Sequence, residues 1–188
     1  LVDTLGVILA GSGVPEVNRV AARLSPSCRK EEGVTCPGRA GGFEPLFAAL
    51  LNGIAGSSLE FEEGNSRAMG HPAIQLVPAL AADAEAGGLS GRDLLRGLVL
   101  GYETASRVSR ASSMRKGLHP TGTWGVVGAA LGVGCARHKG AEALEQIGNI
   151  SASCAFSPYV KNSFVGRNVA STFAGLVNHG ALLANLFF

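Results

Sequence analysis

The chain has 188 residues, 46% of them hydrophobic and 16% charged, and a formal net charge of +2. Intrinsic disorder is excluded, since it requires few apolar residues and a high net charge, and the charged share here is below the ~25% of an average soluble domain. The near-balance of charge gives no reason to expect nucleic acid or an anionic membrane surface as a partner.

In chain order, Leu1 to Ala10 is apolar and closes on Gly11-Ser12-Gly13, which reads as a first helix. Pro15 suits the first turn of a second helix, running to about Leu24. Residues 25–42 carry Pro26, Pro37, four glycines and the mixed-charge cluster Arg29-Lys30-Glu31-Glu32, and predict an irregular, exposed stretch. Pro45 opens a third helix whose Leu46, Leu50, Leu51 and Ile54 form an inward stripe. Ala73 to Ala86 predicts a helix kinked at Pro78 and ended by Gly87-Gly88. Ser90-Gly91-Arg92-Asp93 has the spacing of a capping box. The helix it starts is expected to bury Leu94, Leu95, Leu98 and Tyr102. Helical patterns recur over residues 122–137, 141–155 and 168–186, and strand alternation is missing. The fold class is therefore all-α, in one domain over residues 1–188. The small-residue run Gly125-Val126-Val127-Gly128 and onward to Gly134 lacks the preceding strand and GxGxxG turn of a dinucleotide site. It predicts close helix–helix packing instead.

Residues 117–136 form a long apolar stretch without a charge, but His119, Pro120, Thr121 and Thr123 interrupt it. The remainder is about half of the ~20 residues that a membrane span requires. With no signal-like opening, the expectation is a cytoplasmic protein with neither membrane nor nucleic-acid partner. Cys28, Cys36, Cys135 and Cys154 form no CxxC pair, so metal sites lack their usual spacing and the thiols are expected to be reduced, Cys135 and Cys154 in the core.

His71 and His119 share one context, Gly70-His71-Pro72 and Leu118-His119-Pro120. A residue before proline is pushed toward extended backbone and proline favours the first helical position. Each imidazole is thus expected at a helix entrance, where the positive helix end disfavours imidazolium and attracts carboxylates. The acidic run Glu60-Phe61-Glu62-Glu63 lies some ten residues ahead of His71, and Glu62 reads as solvated. Arg67, in the turn between them, is a candidate to hold a substrate carboxylate in bidentate fashion. Lys161 falls on a predicted loop, His138 on a solvated helix end, and His179 in packed helix or at an interface.

Taken together, these positions resemble the MmgE/PrpD family, which includes 2-methylcitrate dehydratases, cis-aconitate decarboxylases and related isomerases. The resemblance rests on Leu1-Val2-Asp3-Thr4-Leu5-Gly6, the acidic run leading to His71-Pro72, and Leu89 to Leu95 followed by Gly101-Tyr102-Glu103 and Arg107. Its most specific piece is Leu118-His119-Pro120-Thr121-Gly122-Thr123 with Gly125 and Gly128-Ala129-Ala130; Lys161 followed by Gly166 adds the final spacing. The resemblance implies a multi-helix domain whose catalytic acid, histidines and lysine are Glu60, His71, His119 and Lys161; Arg67 and Thr121 are this reading's substrate-binding candidates. This sequence departs from it in having Glu60 where relatives carry aspartate, and one extra residue before His71. It also lacks the family's smaller α+β lid domain, so the chain reads as a fragment of a longer two-domain protein.

The expected activity is that of a lyase on a small di- or tricarboxylic acid, dehydrating a 2-methylcitrate-like substrate or decarboxylating a cis-aconitate-like one by acid–base catalysis. No metal or nucleotide cofactor is called for. An isomerase or epimerase on the same site, or a non-catalytic helical dimerisation module, is the alternative. The apolar surplus predicts a homodimer.

Overall fold

The computed structural model describes the whole chain apart from Asn162, Phe164, Val165, Gly166 and the side chains of Arg167 and Asn168. Gly166, the far end of the lysine-to-glycine spacing, lies outside the described residues. The elements are α1 (Val2–Gly11), α2 (Pro15–Cys28), β1 (Arg29–Lys30), β2 (Val34–Thr35), β3 (Gly42–Phe43), α3 (Pro45–Ser57), α4 (Pro72–Gly87), α5 (Gly91–Ala111), α6 (Gly125–Ala136), α7 (Ala141–Ser153) and α8 (Arg167–Asn185). The fold is mostly helical, as the periodicity predicts. None of the described helices is long and apolar enough to cross a membrane.

The largest departure lies in residues 25–42. Helix α2 continues through Pro26 to Cys28, whose carbonyl accepts the Glu44 N–H at 2.8 Å. The rest forms a small antiparallel sheet in the order β1-β3-β2, with Arg29 and Val34 both opposite Phe43. Two-residue strands are too short to display alternation. Gly33 and Gly42 let the strands meet, since a Cβ on Gly42 would stand 2.2 Å from the Gly33 carbonyl carbon. Tertiary hydrogen bonds anchor the sheet: the Thr35 N–H and hydroxyl donate to the Glu85 carboxylate at 2.9 and 2.7 Å, and Asn52 Nδ2 donates to Thr35 O at 3.1 Å. Cys28, Cys36 and Phe43 are buried in the main core, so the stretch is only partly exposed. All four cysteines are free thiols, with Cys135 and Cys154 only half-buried. Burial pushes the Cys36 thiol up to about 12.

Helix α4 is the axle of the domain. It packs against α3, α5, α6 and α8, and nearly every residue from Pro72 to Ala84 is buried. Pro78 removes one donor from this helix, which leaves the Ile74 carbonyl without its normal i+4 partner in a place water does not reach. Asn178 of α8, 0% exposed, repairs the break. Its Nδ2 donates to Ile74 O at 2.8 Å and its Oδ1 accepts the Ala79 N–H at 2.8 Å. One carboxamide thus replaces a missing rung and locks α8 across α4. At the far end, Gly88 supplies the left-handed cap and Ser90 with Asp93 forms the capping box of α5.

Helices α5 and α6 meet through small residues. The expected buried set on α5 is corrected: Leu95 is 52% exposed and Leu94, Leu98 and Tyr102 are half-buried, while Gly97, Gly101 and Ala105 face inward. A Cβ on Gly101 would sit 2.8 Å from Gly128 O and 2.9 Å from Gly132 Cα, so backbone meets backbone. Such contact recovers, by dispersion, part of the helix propensity that glycine forfeits.

Two stability measurements check this architecture. Asn178→Ala removes the side-chain partner of the buried Ile74 carbonyl and of the Ala79 N–H, and at ~1–3 kcal/mol for each group urea denaturation should register a loss of about 2–6 kcal/mol. Gly101→Val forces α5 from α6 and is expected to cost about 1–3 kcal/mol or more, whereas Val99→Ala, on the exposed face of α5, should stay within ~0.5 kcal/mol.

Candidate functional site

His71 is the N-cap of α4, directly before Pro72. Its Nδ1 lies 2.7 Å from Glu63 O. A carbonyl oxygen only accepts, so Nδ1 carries the hydrogen and Nε2 of the neutral ring holds the free lone pair. Glu63 is itself fixed, because its Oε1 accepts the Ala73 N–H at 2.9 Å. The helix end expected to draw in a substrate carboxylate is therefore already occupied by the protein's own Glu63. Burial pushes the Glu63 pKa up, against the opposing pull of that Ala73 hydrogen bond.

His119 is not at a helix start, which corrects the second half of that expectation. A turn over residues 121–124 intervenes and α6 begins at Gly125. What holds His119 is a neighbouring strand of chain: its N–H donates to Pro158 O at 2.8 Å, and Val160 N–H donates to Gly117 O at 2.7 Å. The ring packs on Phe173 of α8, with centroids 5.4 Å apart. His119 Nδ1 accepts the Thr121 N–H at 3.2 Å, so the neutral ring carries its hydrogen on Nε2. Burial, and secondarily the nearby His71, hold its pKa below the ordinary 6.5, with Glu60 pulling the other way.

Gln75, fully buried on α4, ties the two histidine segments together. Its Nε2 donates to His71 O at 3.2 Å and its Oε1 accepts the Gly122 N–H at 3.4 Å. Gly125 must be small for this, since a Cβ there would stand 1.9 Å from the Gln75 oxygen. Sequence reasoning missed Gln75; the available signal was a lone amide within the apolar run from Pro72 to Leu80.

Glu60, His71, His119 and Thr121 line one cavity of about 220 Å³, together with Ser57, Glu62, Ser163 and Ala170. Glu60 is exposed and takes a left-handed backbone, φ 54°. Glu62, read as solvated, is instead half-buried on the cavity wall, and burial raises its pKa. Its Oε2 and the Ser163 hydroxyl are buried with no hydrogen-bond partner.

Arg67 is not brought to this cavity. Asn65 Oδ1 accepts the N–H groups of Arg67 and Ala68, both at 3.0 Å, and this turn directs Arg67 toward α5 and a separate cavity with Tyr102, Arg107 and Arg110. Lys161 has helical backbone rather than a loop and an exposed side chain. It is two residues from Ser163 but is not among the described residues lining the histidine cavity. His138 is exposed, with Nε2 2.6 Å from Asp93 Oδ1, and His179 is half-buried against Phe47 at 6.0 Å between ring centroids. Among the described residues no group of three or more His, Cys, Asp or Glu side chains could hold a metal ion. Chemically, the arrangement pairs an imidazole that can accept a proton with a neutral imidazole that can donate a hydrogen bond, in one partly dry space.

The chain is 32% identical to the cis-aconitate decarboxylase of Homo sapiens over 139 residues, 69% of this chain and 28% of the relative. It is 35% identical to a cis-aconitate decarboxylase-like protein of Aspergillus oryzae over 118 residues, 59% of this chain and 24% of that protein. The mouse cis-aconitate decarboxylase is 31% identical over 139 residues, again 69% of this chain and 28% of the relative. The chain thus spans about a quarter of the length of these relatives. The model of the MmgE/PrpD N-terminal domain matches residues 1–181, and the chain belongs to the MmgE/PrpD family.

Proposed function

We propose that this chain carries the acid–base half of a lyase acting on a small di- or tricarboxylic acid. The observation that supports the reading is the opposed pair of imidazoles. His71 offers a bare Nε2 because Glu63 O holds its Nδ1–H, and His119 offers an Nε2–H because Thr121 N–H occupies its Nδ1. Both line one cavity.

In dehydration of a 2-methylcitrate-like hydroxy acid, His71 Nε2 removes the proton beside a substrate carboxylate. The carbon–oxygen bond breaks with its electron pair, and the departing hydroxide takes the proton back from the His71 imidazolium to leave as water. His119 Nε2–H donates to the carboxylate as charge builds there, a role that a neutral imidazole fills when its pKa is held low. In decarboxylation of a cis-aconitate-like acid, His71 begins protonated. The bond to the leaving carboxylate breaks, its electron pair shifts the neighbouring double bond, and the His71 proton lands on the far carbon. The similarity to cis-aconitate decarboxylases favours the second reaction. Lys161 supplies positive charge for a substrate carboxylate, Thr121 donates to it, and Glu60 orients a ring. Glutamate reaches one methylene further than aspartate, and small displacements at a reacting centre alter rate and substrate choice strongly.

The test is turnover of 2-methylcitrate, citrate and cis-aconitate by the complete gene product, followed by proton NMR. His71→Gln and His119→Gln are each expected to lower kcat by roughly 10²–10⁴-fold, and Lys161→Ala to lower it substantially, with circular dichroism unchanged. Turnover near wild type in these variants would overturn the assignment. Because burial keeps His119 neutral to below pH 6.5, its protonation should depress kcat/KM only under that pH, and His119→Gln should remove its contribution to the acid limb.

A further inference from the structure

We propose that the arginine-lined cavity between the 64–70 turn and α5 is a second anion site, separate from the histidine cavity and suited to a multiply charged oxyanion, a polycarboxylate or a polyphosphate. The cavity measures about 660 Å³, and Arg67, Arg107 and Arg110 line it with Asn65, Tyr102 and Ser106. That volume falls within the range of small-molecule sites.

The charge at this place is not self-compensated. Glu103 accepts from Arg107 Nε at 2.7 Å and is the only acidic residue among the described residues of the wall. Neither Arg67 nor Arg110 has a carboxylate partner among the described residues. Arg107 and Arg110 stand one turn apart on the same face of α5, so their like charges repel until an anion enters. The histidine cavity has the reverse character, since Glu60 and Glu62 both lie on its wall. Guanidinium groups bind carboxylate and phosphate oxygens in bidentate fashion.

The wall is held in place before any ligand arrives. Asn65 Oδ1 closes the turn that carries Arg67, and an antiparallel bridge joins Asn65 to Gly70. Asn65 Nδ2 donates to Tyr102 Oη and Ser106 Oγ, each at 3.3 Å, and Ser109 Oγ donates to Ala68 O at 2.5 Å. The Arg67 backbone is thus fastened across from Arg107 and Arg110, which reduces the ordering that binding must impose.

Isothermal titration of the purified protein with inorganic pyrophosphate and with citrate, in ~0.15 M salt so that loose surface attraction is screened, tests the site. At least one probe is expected to bind below about 1 mM, and the stronger one identifies the oxyanion type. Binding should weaken tenfold or more in an Arg67→Ala/Arg110→Ala double variant. It should persist in His71→Gln/His119→Gln and in Arg92→Ala, an exposed arginine elsewhere on α5. Failure of both probes to bind, or equal loss in Arg92→Ala, overturns the proposal. So does binding retained without Arg67 and Arg110 but lost without the histidines; that pattern would place the anion in the histidine cavity and leave the proposed lyase chemistry standing. Circular dichroism melts of the arginine variants show whether a loss of binding is a loss of fold.

Discussion

A proline in the middle of a dry helix is the constraint around which this domain is organised. Helix α4 passes through the core with helices on several sides, so the carbonyl orphaned by Pro78 has no water to turn to. Asn178 answers from α8 with both ends of its amide. That clasp sets where α8 lies on α4, and α8 in turn carries Phe173, the ring against which His119 packs. One turn earlier on α4, Gln75 holds the His71 carbonyl and the backbone beside His119. The two amides, Gln75 on α4 and Asn178 on α8, fix the backbone beside both imidazoles from inside the protein rather than from solvent.

That rigidity bears on chemistry through hydrogen placement. Neither histidine is free to choose its tautomer while neutral, because each Nδ1 is committed to a backbone group of opposite kind, a carbonyl for His71 and an N–H for His119. An acceptor and a donor are thereby set toward the same cavity without any charged side chain enforcing the choice. Glu63 shows the same economy. Its main chain holds His71 while its carboxylate caps α4, so one residue both fixes a ring and neutralises a helix end.

Much of the fold was legible because helical periodicity, Pro45, Pro72, the Gly88 cap and the Ser90–Asp93 box are local signals. The small sheet in residues 25–42 was not, since its strands are two residues long and its anchors, Glu85 and Asn52, come from distant helices. Which face of α5 turns inward was misread, because leucines advertise burial more loudly than the Gly97–Gly101–Ala105 stripe that permits closer approach. At the candidate site, the His-Pro steps pointed to rings that share a cavity. Arg67 departed because an Asx turn, set by Asn65, reverses the chain locally and sends it to the other side of the 64–70 turn. Gln75 escaped notice and Glu62 was read as solvated because their importance lies in burial, and an exposed and a buried glutamate look the same in a one-dimensional chain.

The central claim, that the two rings are held as opposite tautomers, is tested most directly by long-range ¹H–¹⁵N NMR of the imidazoles at a pH where both are neutral. The account predicts a protonated Nδ1 with a bare, pyridine-like Nε2 for His71, and the reverse pattern for His119. Finding both rings in the same tautomer, or either one averaging freely between the two, would contradict it.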